Sequence, residues 1–497
     1  MGGSDDCSRK TIPPVYPWAT NFCQSPMSQT FSAHSRNVAL VVAASFFMQI
    51  LDGVIIVTAL PQMAEDFGVG MLEMSIGVTA YMLTAAVFIP VAGWLSDRLG
   101  ARRVFLAAML VFTLASLACG LAADLTQFVL ARIVQGAGGA LMFPIGRIIV
   151  LRTVAKSEIV QAIGLTVWPA LFAPVVGPAL GGFLTTYVGW HWNFLINVPL
   201  GIAGMLLVLR IVKQDTEFKA HPFDFVGFVL TAISLAALLY GFDALAQGTL
   251  PMPVAAALAG LGLVVGVGAV LWLRRTSHPL LDLSTLRIPT FAASEAMAGA
   301  VLRLTINATP FLLPLMFQVG FGLDALEAGG LVLVYFLGNL LMKSATTPIL
   351  RRLGFRTILT VNGTLAGLAI AACGYLTPTS FYPLTLMILF VAGLTRSMQF
   401  TALATLAFAD VDGDKRSSAS TLSSMFQQVS MVFGVALAAA ILNLSQVVRS
   451  APALTLEDFR VAFIVVGALC VVASLQLLIL PRDAGAEVSG HRRTQAA

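Results

Sequence analysis

The chain has 497 residues, of which 58% are hydrophobic and only 11% carry a charge. A soluble domain usually holds about 25% charged residues, so this chain could not cover a water-facing surface of its size. Together with a mean hydropathy of +0.89, this composition excludes an ordinary soluble protein and predicts an all-α integral membrane fold. The net charge of +5 does not by itself indicate a nucleic-acid partner, because the basic residues follow a different pattern.

Apolar stretches of about 20 residues, the length needed to cross a bilayer, recur along the chain. The first 35 residues are polar and lack the apolar core of a signal peptide, so they predict a disordered cytoplasmic tail that starts at Met1 or Met27. Fourteen spans are predicted after it, at 37–60, 72–95, 102–122, 125–149, 160–184, 193–212, 224–246, 252–273, 291–318, 326–349, 356–376, 381–405, 419–444 and 459–480.

The basic residues test this topology independently. If both termini lie in the cytoplasm, the inside segments hold 22 of the 29 Lys and Arg residues, and the outside loops hold only Arg449 and Arg460. One missed span would invert every later loop, so the positive-inside bias supports an even number of spans and this orientation.

An internal repeat divides the chain. The loop Gly93–Arg102 recurs in degraded form as Thr347–Arg356, each time after the second span of a group of six. Two related six-helix halves around a central path are typical of transporters. The predicted units are a tail (1–35), an N-terminal six-helix bundle (36–213), two inserted helices (214–275), a C-terminal six-helix bundle (276–481) and a second tail (482–497).

Four motifs lie in the first five predicted spans and the loop after the second. They are Leu51-Asp52-Gly53 to Pro61, Gly93-x-x-x-Asp97-Arg98-x-Gly100-x-Arg102-Arg103, Arg132-x-x-Gln135-Gly136, and Gly177-Pro178-x-x-Gly181-Gly182. Glycines permit close helix approach, and a proline bends a helix by removing a backbone donor. Asp52 and Arg132 are intramembrane charges, which are functional by default. A structural Asp52–Arg132 pair, or snorkelling of Arg132 to the interface, is the alternative.

These motifs resemble the major facilitator superfamily, and specifically its fourteen-helix drug/proton antiporter family. The resemblance implies proton coupling by Asp52 and Arg132, and an antiporter-type helix bend at Gly177, Pro178, Gly181 and Gly182. It also implies a conformational latch made of Gly93, Asp97, Arg98, Gly100 and Arg102. Val54 and Val57 replace the family's usual Thr and Asn, and His191 stands where Arg is usual. Trp190 and Trp192, in the block that ends at Gly201, predict an interfacial belt.

Further polar side chains in the spans are candidates to line the central cavity. Glu295 and Arg303 are eight residues apart and share a helix face with Asn307, whereas Glu295 and Lys343 near the cytoplasmic side could instead pair with each other. A basic half-cavity would suit an anionic or zwitterionic solute. The cavity candidates are Gln49, Glu295, Arg303, Asn307, Arg396 and Gln399.

The resulting functional hypothesis is a secondary active transporter, with proton-coupled efflux of drugs or other small molecules by alternating access. An exporter or proton symporter of one metabolite is the alternative. Because no Walker-type loop occurs and the five histidines lie in loops, ends or tails, we expect neither an enzyme nor a cofactor nor a metal site. The expected partners are a small-molecule solute, protons and the bilayer, without nucleic acid. The expected location is the bacterial inner membrane, as a monomer.

Overall fold

A computed structural model describes residues 32–74, 76–155, 158–214, 222–247, 250–323, 325–450 and 454–489. Within these ranges the backbone is helical, with short connections and no β-strand. Both candidate start methionines and residues 490–497 lie outside the described residues, as do a few side chains within helices, including that of Pro178. Helices of seven residues or more are numbered in chain order.

The N-terminal half consists of seven numbered helices. Asp124 accepts a hydrogen bond from the Gln127 backbone N–H at 2.8 Å and so caps the fifth of them. The helices are α1 (Ala33–Phe67), α2 (Ile76–Phe88), α3 (Val91–Leu99), α4 (Ala101–Gly120), α5 (Leu125–Thr153), α6 (Ile159–Tyr187) and α7 (Asn197–Ile211).

Two inserted helices, α8 (Phe225–Gln247) and α9 (Met252–Arg275), precede the C-terminal half. They pack against each other, and α8 also contacts α2. The C-terminal half consists of α10 (Pro289–Glu295), α11 (Ala298–Leu315), α12 (Ala325–Cys373), α13 (Tyr382–Leu406), α14 (Arg416–Val448) and α15 (Leu456–Gln476). The inserted helix α8 contacts α14 as well, so it touches both halves.

A helix runs through each of the fourteen predicted spans. By length and composition, eleven helices of the described chain can cross a membrane, or twelve if α2 and α3, which are bent by 57° to each other, count as one span. Two predicted spans fall in α12, which is continuous except at Gly354. The all-α membrane fold is therefore confirmed, while the count of fourteen crossings stays a prediction.

The repeated loop has the same turn in both halves. Gly100 separates α3 from α4 with φ 87°, and Gly354 interrupts α12 with φ 73°. Backbone conformations with positive φ are costly for residues that have a Cβ, so glycine is required at both places. The short sequence match between the two loops therefore corresponds to a shared backbone geometry.

Helix packing leaves apolar side chains on the outside and small or polar ones between helices. α1 packs along α6, α4 along α5, and α12 along α13 and α15. Leu114 of α4, Val264 of α9 and Met387 of α13 are more than half exposed. Such apolar faces are stable only where lipid covers them. The polar groups that remain inside therefore define where a functional site can be.

Candidate functional site

A fully buried ion pair joins α1 to α5. Arg132 Nη1 lies 2.8 Å from Asp52 Oδ2, and neither side chain is exposed. Asp52 Oδ1 accepts hydrogen bonds from Gln135 Nε2 at 2.9 Å and from Asn197 Nδ2 at 2.7 Å. Gln135 Nε2 also donates to Ser116 Oγ at 2.7 Å. We call these five residues the Asp52 network.

Four helices bring the Asp52 network together. Asp52 lies within α1 and Ser116 within α4, while Arg132 and Gln135 share one face of α5 because they are three residues apart. Asn197 is the first residue of α7. A charge in a membrane interior is strongly unfavourable without partners, so each of these contacts lowers the cost of burying the pair.

Arg132 keeps other contacts besides Asp52. Its Nη1 donates to Gln135 Oε1 at 2.6 Å, and its guanidinium carbon lies 4.2 Å from the centre of the Tyr81 ring. Its Nε lies 3.4 Å from the Gly77 carbonyl oxygen. Within the described chain its Nη2 has no hydrogen-bond partner. Gln135 and the Tyr81 ring therefore contact the guanidinium independently of Asp52.

The predicted latch lies on the membrane face where α3 and α5 end and α14 begins, which we call the basic face. Asp97 pairs with Arg152 at 3.1 Å, and both side chains are about 30% exposed. A partly exposed pair of this kind contributes about 0–1 kcal/mol, so it is easily broken. Arg98 lies 5.1 Å from the centre of the Trp94 ring, and Arg102 donates to the Leu209 carbonyl at 2.6 Å.

Gly93 brings the two halves together at the basic face. A Cβ at this position would lie 2.9 Å from Thr421 Oγ1 and 3.4 Å from Ser417 Oγ, both on α14. Ser417 Oγ donates to the Gly93 carbonyl at 3.1 Å. The latch motif therefore lies against the opposite half, and its charges lie beside that contact.

The predicted helix bend lies along the contact between α6 and α1. A Cβ at Gly177 would lie 2.7 Å from Val54 Cγ1, and one at Gly181 would lie 2.5 Å from Thr58 Oγ1. A Cβ at Gly182 would meet nothing within 4 Å. Two of the three glycines thus serve close packing, whereas the side chain of Pro178 lies outside the described residues.

A second buried ion pair lies in the C-terminal half and is linked by hydrogen bonds to a helix of the N-terminal half. Arg303 Nη2 lies 2.7 Å from Glu295 Oε1, as the shared face predicted. Ser423 Oγ of α14 donates to the same Glu295 oxygen at 2.7 Å. Arg147 of α5 donates to Ser423 Oγ at 2.8 Å, and its Nη2 lies 3.4 Å from Gln427 Oε1. We call these five residues the inter-half cluster.

Polar residues at every third or fourth position of α14 continue this contact towards the basic face. Ser420 Oγ donates to the Pro144 carbonyl at 2.8 Å. Arg416 donates to the Leu151 carbonyl. With Ser417 and Ser423, these residues form one face of α14 that contacts α3 and α5. The structure is therefore closed at the basic face.

The other cavity candidates have separate environments. Gln49 Nε2 donates to the Gly139 carbonyl at 2.9 Å. Asn307 is half-buried, and its Cβ would lie 3.1 Å from a Cβ at Gly434 of α14. Arg396 lies 5.7 Å from the centre of the Tyr335 ring, and its Nη1 has no hydrogen-bond partner among the described residues.

Gln399 does not lie with the inter-half cluster. It is fully buried, and its Nε2 donates to the Leu359 carbonyl of α12 at 3.0 Å. Its Oε1 accepts from Asn362 Nδ2 at 3.1 Å. A role of Gln399 in the central cavity stays a prediction.

Two sequence-based expectations are wrong. Glu295 pairs with Arg303, whereas Lys343 donates to Thr401 Oγ1. Glu295 and Lys343 do not pair, because Arg303 lies on the same helix face as Glu295 and contacts its carboxylate. Trp190 is not part of an interfacial belt, since it is 1% exposed and its indole donates to Asp66 Oδ2 at 2.5 Å.

Sequence reasoning missed several site residues. Asn197 belongs to the quoted Trp190–Gly201 block, but its contact with Asp52 needs the fold of α7 onto α1. Ser116 and Ser423 carry no sequence signal beyond a hydroxyl in an apolar span. Arg147 does carry a sequence signal, because a basic residue within a predicted span requires a partner. Among the described residues, no group of three His, Cys, Asp or Glu side chains could hold a metal.

Two buried ion pairs lie inside a helical fold with an apolar outer surface, and hydrogen bonds join its two halves, an arrangement typical of membrane transporters. The family model described as Major Facilitator Superfamily matches residues 42–435 and, in a second match, 296–495. The chain therefore belongs to the major facilitator superfamily, which confirms the resemblance drawn from its motifs.

Relatives with similar sequences share a name. The "Putative multidrug resistance protein MdtD" of Escherichia fergusonii is 35% identical over 463 residues, which cover 92% of this chain and 97% of the relative. The protein with this name from Shigella flexneri is 34% identical with the same coverage. The chain is therefore a transporter whose relatives are named for multidrug resistance.

Solved structures show the same fold at lower sequence identity. The human organic anion transporter MFSD10 (TETRAN) superposes with a TM-score of 0.64 at 16% identity, over 89% of this chain and 99% of that one. The proton:xylose symporter XylE superposes with a TM-score of 0.62 at 13% identity, over 93% and 99%.

Proposed function

We propose that this transporter exports drugs or other small molecules in exchange for protons. The observation that carries the proposal is the Asp52 network, a fully buried carboxylate held against Arg132. The relatives named for multidrug resistance support export of more than one compound. Glycine packing of α6 on α1, at Gly177 and Gly181, supports the antiporter assignment that the motif implies.

The proton and the Arg132 guanidinium compete for the Asp52 carboxylate. When Asp52 is charged, it holds α1 to α5 through Arg132 and to α7 through Asn197. When it takes up a proton, the charge attraction is lost, and Arg132 retains Gln135 and the Tyr81 ring. Proton uptake thus loosens α1 from α5, while Gln135 and the Tyr81 ring reduce the cost of the guanidinium charge that remains.

The contact between the halves supports alternating access as the mechanism of transport. Hydrogen bonds from α14 to α3 and α5 close the basic face. With the positive-inside orientation, this is the state closed towards the cytoplasm. Rocking of the halves would break these bonds and open the site to the cytoplasm.

The inter-half cluster is the proposed solute contact. Arg147 and Arg303 face a single carboxylate, that of Glu295, so the cluster carries a net positive charge. Arg303 Nη1 and Glu295 Oε2 have no hydrogen-bond partner within the described chain. These groups favour a solute with an acidic or zwitterionic part, and a solute bound here touches both halves.

The remaining features of the proposal concern its setting. The proposed energy source is the proton gradient, without a cofactor, and the solute crosses the membrane chemically unchanged. It works as a monomer in the bacterial inner membrane, with both termini in the cytoplasm. An exporter or symporter of one metabolite is the alternative, which a growth screen across a compound panel, with and without an uncoupler, would distinguish by the breadth of protection.

The test of proton coupling is Asp52→Asn, which keeps the side-chain shape and removes the titrating group. In inverted vesicles with an imposed pH gradient, we expect uphill solute uptake to be lost while solute exchange without a gradient persists. Asp412→Asn is the control, because Asp412 is an exposed acid in the loop before α14. Uphill transport by Asp52→Asn with an unchanged pH dependence would refute the proton role.

A further inference from the structure

A cavity of about 440 Å³ lies on the basic face, away from both ion pairs. Arg356, Thr357 and Thr360 line it from the part of α12 that follows Gly354, and Arg482 lines it from the segment after α15. Apolar side chains complete the wall, and all are about half exposed on the lipid side: Leu353, Val361 and Leu478.

The two arginines of this cavity have no counter-charge. Neither guanidinium has a hydrogen-bond or ion-pair partner in the described part of the chain, and no acidic residue lines the cavity. By contrast, Arg152 pairs with Asp97 and Arg460 pairs with Glu457. Two guanidiniums that share a cavity repel each other, and an anion between them would remove the repulsion.

A buried hydroxyl in the same wall is also unsatisfied. Thr360 is 8% exposed, and its Oγ1 has no hydrogen-bond partner among the described residues. A buried polar group without a partner costs about 1–3 kcal/mol, so such groups are usually satisfied by a ligand or by water. Charge and hydroxyl together indicate an oxyanion with several acceptor oxygens.

We propose that this cavity binds the headgroup phosphate of an anionic phospholipid. Arg356 and Arg482 pair with the phosphate oxygens, and the hydroxyl of Thr360 donates to one of them. The acyl chains then lie along the exposed apolar side chains at Leu353, Val361 and Leu478. A free phosphate would leave that apolar wall unused, which is why a lipid is the ligand.

The bound lipid would connect two segments of the C-terminal half. Arg356 follows the Gly354 break, and Arg482 follows the last membrane helix. A phosphate that pairs with both would hold the C-terminal segment against α12. Basic pockets at the cytoplasmic ends of membrane helices are the usual place for such lipids.

Native mass spectrometry of the purified full chain, titrated with phosphatidylglycerol or phosphatidylcholine, tests the proposal. For Arg356→Gln/Arg482→Gln, we expect about a hundredfold loss of phosphatidylglycerol affinity, because each arginine contributes a charge-assisted hydrogen bond that corresponds to about tenfold in affinity. Thr360→Val should lower the affinity several-fold. The matched control is Arg352→Gln, which removes an exposed charge of the same helix that does not line the cavity.

Each other outcome overturns the proposal. If Arg352→Gln lowers the affinity as much as the double variant, the lipid is attracted by surface charge alone. If phosphatidylcholine binds as well as phosphatidylglycerol and survives the double variant, the arginines do not select it. If inorganic phosphate at about 10 mM stabilises the wild type against heat and phosphatidylglycerol does not, the site takes free phosphate.

Discussion

The Asp52–Arg132 pair has a structural role that can be tested separately from its proposed role in proton coupling. Each charge is fully buried, so each depends on the other and on the amides around it. Replacing both members of such a pair is often tolerated, whereas removing one leaves a bare charge and costs about 3–5 kcal/mol. Stability and coupling can therefore be separated by mutation.

Arg132→Gln alone is expected to lower the stability of the detergent-solubilised protein by about 3–5 kcal/mol, because Asp52 loses its counter-charge. Asp52→Asn/Arg132→Gln should recover most of that loss and remain unable to drive uphill transport. Thermal unfolding of the two variants measures the difference. A double variant as unstable as Arg132→Gln would show that the pair is not the source of the stability.

At the level of helices, the contact of α6 with α1 depends on missing side chains. A Cβ at Gly181 would lie 2.5 Å from Thr58 Oγ1 and 3.1 Å from the Ile55 carbonyl oxygen. The neighbouring Gly182 faces open space. Gly181 and Gly182 are therefore a matched pair of consecutive positions at which we expect the same substitution to have different consequences.

Gly181→Ala is expected to destabilise the protein by about 1–3 kcal/mol and to reduce efflux, because α6 must move away from α1. Gly182→Ala should be neutral or slightly stabilising, since alanine is the better helix former by about 1 kcal/mol. Thermal unfolding and efflux rates of both variants measure the predicted differences in stability and in transport. Equal effects at the two positions would contradict the role of close packing.

The features of these helices that the sequence predicts are those whose sequence signals lie within one segment. Apolar length and basic loops predicted the membrane segments, and Gly100 and Gly354 predicted the repeated turn, because these are properties of single segments. The partners of Asp52 could not be predicted in full. Asn197 is 145 residues away in sequence, and Ser116 resembles any other serine in a membrane helix.

The error over Lys343 has a similar physical cause. Sequence placed Glu295 and Lys343 at a common depth, but depth does not determine which side chain is in reach. Arg303 reaches Glu295 at 2.7 Å because the two follow one helix face across the break between α10 and α11. Intramembrane charges can thus be located from sequence, whereas their pairing requires the packed helices.

For the whole molecule, we expect the inter-half cluster to favour the state that is closed at the basic face. Ser423→Ala removes the hydroxyl that links Arg147 to Glu295, and Arg147→Gln removes the charge. Each is expected to weaken closure at the basic face by about 1–3 kcal/mol, a population shift of about five- to 150-fold. Ser424→Ala is the control, because its hydroxyl donates to Ser420 within α14 itself.

Spin labels at Leu99 and Leu353, both exposed near the basic face, would report this shift as a distance distribution. We expect the longer distances to gain population in Ser423→Ala and Arg147→Gln and not in Ser424→Ala. Unchanged distributions in the first two variants would show that the inter-half cluster does not hold the halves together.

The serines of α14 also bear on whether a bacterium can power this cycle. A neutral hydrogen bond contributes about 1 kcal/mol net, and one that involves a charged group contributes about 1.5–3 kcal/mol. The bonds from Ser417 to Gly93, from Ser420 to Pro144 and from Arg147 to Ser423 therefore hold the halves together by a few kcal/mol. One proton that moves down a gradient of one pH unit and 100 mV releases about 1.4 plus 2.3 kcal/mol. The energy that one proton releases is therefore similar to the energy of this contact, as the proposed proton-coupled cycle requires.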